Sequence, residues 1–178
     1  MLKLNVQGDE LYDEIANEFY NVKPTTLSLE HSLISVAKWE AKWHKPYLDK
    51  KPKTVEERLD YVRCMSLTQS VDPNVFRALD KKDMAQIDAY IEDPYTATTF
   101  SNSNGSSNLG ANKNKIITAE ELYYFMFKLG IPIECAKWHL NRLLVLIEVF
   151  NAYDGEQKEL TPEEARERVR RINAMRRK

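Results

Sequence analysis

The sequence predicts a mainly α protein: a short N-terminal β-hairpin, then about five to six helices around a central apolar helix at residues 133–151. Three observations carry this. From Leu33 onward apolar residues recur at three- and four-residue steps, the period of one helix face. Three tetrapeptides, Thr54–Glu57, Thr118–Glu121 and Thr161–Glu164, share the pattern Thr-x-x-Glu. In such a capping box the threonine hydroxyl and the glutamate carboxylate satisfy orphan amides of a first helical turn. Residues 133–151 are mostly Cys, Ala, Trp, Leu, Val, Ile and Phe, with Glu134, Lys137, Asn141, Glu148 and Asn151 on one narrow stripe. A helix with so little polar surface is ordinarily one that others wrap.

The elements follow in order. LKLNV at residues 2–6 alternates apolar and polar residues, and Gln7-Gly8-Asp9 supplies a turn, so a strand is expected. An acidic stretch with Tyr12, Ile15, Phe19 and Tyr20 runs to Pro24, and Thr25–Leu29 reads as the second strand of a hairpin-like flap. An isolated ribbon of this kind needs helices to pack on. From His31, the residues Leu33, Val36, Trp39 or Glu40, Trp43 and Tyr47 mark a helix that Pro46 ends near Lys45. KKPK is a charged connector to the helix begun at Thr54. Asp72-Pro73 starts a short helix, and Asp80 or Asp83 starts another carrying Met84, Ile87, Tyr90 and Ile91 to Pro94. Residues 101–114, SNSNGSSNLGANKN, hold one apolar residue and are expected to form a mobile loop within a single domain spanning 1–160. Gly130 and Pro132 mark a tight junction before the central helix, which Asp154-Gly155 closes. Residues 161–178 form a basic C-terminal helix or tail, Pro162 having the dihedral suited to a first helical position.

Charge and composition narrow the function classes. The formal net charge of −1 gives no global pull toward nucleic acid or membrane. Ala165–Lys178 nevertheless holds seven basic residues against Glu167, so this segment carries +6 and the preceding chain −7. Five glycines in the whole chain argue against phosphate loops, and the 101–114 tract lacks the Gly-Lys-Ser/Thr ending of one. Cys64 and Cys135 are too few for a disulfide framework and fall in apolar helical patterns, as buried thiols do. The N-terminus lacks the layout of a signal peptide, and no apolar run approaches the ~20 residues of a membrane span, so a cytosolic, soluble chain is expected.

The tripeptide Lys-Trp-His occurs at residues 42–44 and again at 137–139, and raises the question of a site. Cys135 and His139 stand four apart, yet a zinc site needs three or four ligands, and neither Cys-x-x-Cys nor His-Glu-x-x-His occurs. Nothing local activates a thiol nucleophile. The pairs Glu56-Glu57, Glu120-Glu121 and Glu163-Glu164 each sit in a first helical turn, where the helix dipole accounts for acidic residues. No catalytic, metal or cofactor site is predicted. The tail keeps Val169, Ile172 and Met175 at three-residue steps with arginines, among them Arg170 and Arg176, on its other faces. It suits docking to a partner or to the chain's own body; nucleic-acid binding through the arginines is the weaker alternative, since no groove-reading module accompanies it.

LEHSLISVAKWEAKWHKPYL, KTVEERLDYVRCMSLT, TATTF and KIITAEELYYFMFKLGIPIECAKWHLNRLLVLIEVFN follow one another in this order. The set resembles a family of small bacteriophage proteins with a Leu-Glu-His-Ser segment, a Lys-Trp-Glu helix, an Asp-Tyr-Val-Arg-Cys helix and a Glu-Cys-x-x-Trp-His-Leu-Asn helix. Here these are Leu29–Ser32, Lys38–Glu40, Asp60–Cys64 and Glu134–Asn141, and the resemblance covers roughly residues 25–175. The Ser/Asn/Gly tract departs from the pattern, in which the connector after TATTF is shorter and more charged. Members of this family look like tail assembly chaperones of long-tailed phages, made just before the tape-measure protein. The resemblance implies a non-enzymatic role in the host cytoplasm, binding the tape-measure protein and recruiting tail-tube subunits, with absence from the mature virion and a possible homo-oligomer. Trp39, Trp43 and Tyr47, or Val169, Arg170, Ile172, Met175 and Arg176, are the candidate partner-binding residues; core packing is the alternative for the tryptophans. A nucleic-acid-binding or packaging accessory protein, or a minor virion component, is the alternative function.

Overall fold

A computed structural model describes residues 1–13, 17–98 and 116–156. Strands β1 (Leu2–Val6) and β4 (Thr25–Leu29) pair antiparallel, with Leu2 opposite Leu29 and Val6 opposite Thr25. Because opposed residues share a face, Leu4 and Leu27 are buried together while Thr26 Oγ1 donates to Asn5 Oδ1 at 2.8 Å on the other side. The expected hairpin is therefore present. Between its strands lies a second ribbon that the acidic composition concealed, β2 (Asp9–Asp13) against β3 (Glu18–Val22). The two ribbons meet where Gly8 faces Pro24. A Cβ on Gly8 would lie 2.8 Å from Pro24 Cδ, so only glycine fits this approach.

The chain turns from β4 into helix α1 (Leu33–Trp43), capped by Ser32 and ended by His44 in the left-handed region. Helix α2 (Val55–Met65) begins in the expected capping box of Thr54 and Glu57, and α5 (Ala119–Lys128) in that of Thr118 and Glu121. Between them come α3 (Pro73–Arg77), capped by Asp72, and α4 (Lys81–Glu92), where Asp80 and Asp83 form a further reciprocal box. Helix α1 packs on α2, α5 and a 3-10 turn at Ile133–Lys137. The core these elements enclose includes Leu4, Leu27, Val36, Trp39, Met65, Leu122, Met126 and Leu143.

The segment 133–151 is not one continuous helix. Pro132 leads into the 3-10 turn, Trp138 takes an extended conformation, and α6 runs from Leu140 to Glu156. The break has a cause. His139 pairs with Ser32 in an antiparallel bridge, and the Leu140 amide donates to the His31 carbonyl at 2.7 Å. Backbone groups that a continuous helix would use internally are bonded to the chain entering α1, so both remain satisfied. Nor is α6 wrapped all round: Leu140, Leu143 and Ile147 are buried, while Tyr153 is 69% exposed. The polar tract at 101–114, the third capping box at Thr161 and the basic tail at 161–178 lie outside the described residues.

Candidate functional site

The two Lys-Trp-His tripeptides both stand at the end of a helical segment. Each ends a helix: Trp43 is the last residue of α1 with His44 as its cap, and Trp138 caps the 3-10 turn. Behind them lies a buried aromatic and histidine cluster. His31 and His139 are both nearly fully buried, their rings edge-on at 5.1 Å. His31 Nδ1 is hydrogen-bonded to the Tyr61 hydroxyl at 2.6 Å. His139 Nε2 lies 3.0 Å from the Tyr90 carbonyl oxygen, which can only accept, so Nε2 carries a proton. In a neutral ring this makes Nδ1 an acceptor, and that atom is buried without a partner. Burial, and then the neighbouring His139, push the His31 pKa down to about 3.

Trp39, Trp43 and Tyr47 belong to this framework. Trp39 is 1% exposed and its indole donates to the Glu57 carbonyl at 2.9 Å. Trp43 is half-buried, stacks on Trp39 at 6.1 Å and donates to Asp60 Oδ2 at 2.9 Å. Tyr47 stacks on Tyr61 at 3.8 Å and meets the edge of Trp39 at 5.3 Å. Trp39 is therefore core, the alternative its helical spacing left open, and Trp43 and Tyr47 are held by contacts within the chain. Val169, Arg170, Ile172, Met175 and Arg176 lie outside the described residues.

Buried carboxylates complete the framework. Asp60 accepts from Trp43 and from the Lys42 ammonium. Glu57 accepts from Lys45 at 2.5 Å, which with the Thr54 amide holds its carboxyl below the usual range. Glu40 accepts from the Tyr47 amide at 2.7 Å and from the Ala119 amide at 2.8 Å. Ala119 opens α5, so Glu40 satisfies an orphan helix amide across 79 positions of sequence. Its only sequence signal is its place beside Trp39 in the helical period.

A pocket of about 240 Å³ opens beside Trp39, lined also by Lys45, Pro46, Asp49, Lys53 and Glu57. Lys53 Nζ sits 4.5 Å over the Tyr47 ring, and burial lowers its pKa. Lys45 is ion-paired with Glu57, and no thiol or histidine lines this pocket. Among the described residues no group of three or more His, Cys, Asp or Glu is placed to hold a metal ion. None of the described helices is long and apolar enough to cross a membrane.

The open apolar surface lies elsewhere. On α6, Leu140, Leu143 and Ile147 face the core, and the other side carries Arg142, Val145, Val149 and Tyr153 at three- and four-residue steps. Val145 and Val149 are half-buried without joining the residues packed on the core. On α5, Leu122 and Met126 point inward while Tyr124 is 60% and Phe127 70% exposed. Near the start of α6, Trp138 is partly exposed with the Arg142 guanidinium 4.3 Å over its ring. Sequence reasoning assigned these residues to helices but missed their outward direction, because an all-round apolar helix reads as a buried one.

No protein-family model, no curated protein and no solved structure matches this chain.

Proposed function

We propose that this chain is a non-catalytic helix-binding protein. Following the resemblance of its Trp-Glu and Trp-His segments, we propose specifically a tail assembly chaperone of long-tailed phages. It holds the tape-measure protein in the host cytoplasm and recruits tail-tube subunits until the tube displaces it. The observation that supports the reading is the second apolar stripe of α6, half-buried Val145 and Val149 with exposed Tyr153, on a helix whose other side is already in the core. Steps of four residues present one row of side chains, the surface an amphipathic partner helix interdigitates with. The α5 pair Tyr124 and Phe127 offers a further aromatic contact of the type that anchors interfaces. Trp39 takes no part, being enclosed by the fold.

Co-expression with the tape-measure protein and affinity capture tests this. The wild-type chain is expected to co-purify with it. Val149→Asp combined with Tyr153→Asp should abolish capture while leaving the thermal transition in place. Undiminished capture by the double variant would move the interface off α6, and no capture by the wild-type chain would overturn the chaperone reading.

A further inference from the structure

The pocket beside Trp39 is one negative charge short. The ammonium groups of Lys45, Lys51 and Lys53 line it, against the carboxylates of Asp49 and Glu57. Lys45 is ion-paired with Glu57 at 2.5 Å and Lys51 with Asp49 at 3.3 Å. Among the described residues no carboxylate lies within ion-pair distance of Lys53. Its ammonium stands 4.5 Å over the Tyr47 ring and 5.9 Å over that of Trp39, and donates to the Asp49 carbonyl at 3.5 Å. These contacts hold the group at the pocket without neutralising it. Burial lowers the Lys53 pKa, and Asp49 and Glu57 offset this only in part. A half-buried cation in this setting is stabilised by an arriving anion.

We propose that this pocket binds a single carboxylate carried on a ring or short apolar chain, with Lys53 as its cationic partner. Trp39, Pro46 and Pro52 contribute apolar wall, and the fixed dihedrals of the two prolines restrain the backbone that carries it. At about 240 Å³ the space lies below the ~300–1,000 Å³ of sites for drug-sized ligands, so the ligand is small. One carboxylate brings the lining to neutrality. A phosphate dianion would overshoot it beside Asp49 and Glu57. The carboxylate belongs either to a free acid or to the C-terminus of a peptide, and both present the same group to Lys53. Binding here does not depend on the α6 surface.

Proton–nitrogen correlation spectra of the isotope-labelled full chain, titrated at constant ionic strength, test the proposal. The probes are phenylacetate for a free acid, acetyl-prolyl-phenylalanine for a chain terminus, the amide of that peptide, and inorganic phosphate. Phenylacetate should shift the Trp39 indole and the Lys53 amide saturably, with a midpoint in the millimolar range expected of so small a ligand, and leave Leu143 and Tyr153 in place. Tighter binding of the peptide acid than of phenylacetate assigns the site to a chain terminus, and the reverse order to a free acid. Lys53→Met should weaken phenylacetate at least about tenfold, as loss of a charge-assisted hydrogen bond does. Lys50→Met, outside the lining, should leave it unchanged. The Lys53 side-chain carbons should report a pKa that rises when phenylacetate saturates the site, because an anion favours the charged form. The proposal is overturned by no saturable shift with either acid up to about 50 mM. Phosphate or the peptide amide binding as tightly as the acids, or full affinity in Lys53→Met, would overturn it as well. All but the last are read on the wild-type chain, so the test does not depend on the variant's folding.

Discussion

Glu40→Ala removes a side chain that joins α1, the turn after it and the first amide of α5. Its two oxygens accept from Tyr47 and Ala119 at 2.7 and 2.8 Å, and the residue is 8% exposed. Hydrogen bonds to a charged group contribute about 1.5–3 kcal/mol each, and the substitution takes the acceptor from one buried and one partly buried donor. Water entering the space vacated recovers part of this, so the expected loss is about 3–4 kcal/mol. Glu40→Gln keeps one acceptor in place and should lose about half as much. For a chain of this size each kcal/mol shifts the melting temperature by roughly 2–4 °C, so Glu40→Ala should melt about 6–16 °C lower. Urea unfolding followed by far-UV circular dichroism gives the free energies directly. A loss under about 1 kcal/mol for Glu40→Ala would show that the α1–α5 junction does not depend on this carboxylate.

Acidification should destabilise the fold through His31, which Tyr61 from α2, Tyr47 from the turn after α1 and His139 before α6 enclose. Its folded pKa is depressed from 6.5 to about 3, so the unfolded chain binds the extra proton. The stability this burial permits is complete above pH 6.5 and is lost as pH falls toward 3, by about 2 kcal/mol at pH 5. His31→Asn should flatten that slope in urea titrations at the two pH values; an unchanged slope would refute the assignment. Gly8→Ala should cost about 1–3 kcal/mol through its clash with Pro24, and Pro24→Ala in the same chain should recover part of it, as a double-mutant cycle would measure. Thr118→Ala should lower stability by about 1 kcal/mol through loss of the α5 cap, whereas an unchanged urea midpoint would count against the box.

Much of the fold was legible because its signals are local. The boxes at Thr54 and Thr118 and the caps at Asp72 and Asp80 act within one turn, and each starts a helix where the sequence places it. The β1–β4 pairing followed from alternation at Leu2–Val6 and Thr25–Leu29. The β2–β3 ribbon was hidden because Asp9, Glu10, Asp13 and Glu18 are poor strand formers, and the pairing across residues 14–17 supplies what propensity lacks. The break at Trp138–His139 was invisible for a different reason. It depends on the His31 carbonyl and Ser32, more than a hundred residues away. Sequence distance likewise hid Glu40, whose partner amide lies 79 positions away in α5. Composition alone also left open whether the tryptophans face in or out, and that was decided by the burial of Trp39, whose indole bonds to α2, and the outward turn of Trp138.

Hydrogen–deuterium exchange of the full chain, alone and with the tape-measure protein, tests the helix-binding claim most directly. Added protection is expected over residues 144–153 of α6 and 123–128 of α5, with Trp39–Tyr47 unchanged because those residues are already engaged within the fold. Protection appearing at 39–53 with none on α6, or nowhere at all, would contradict it.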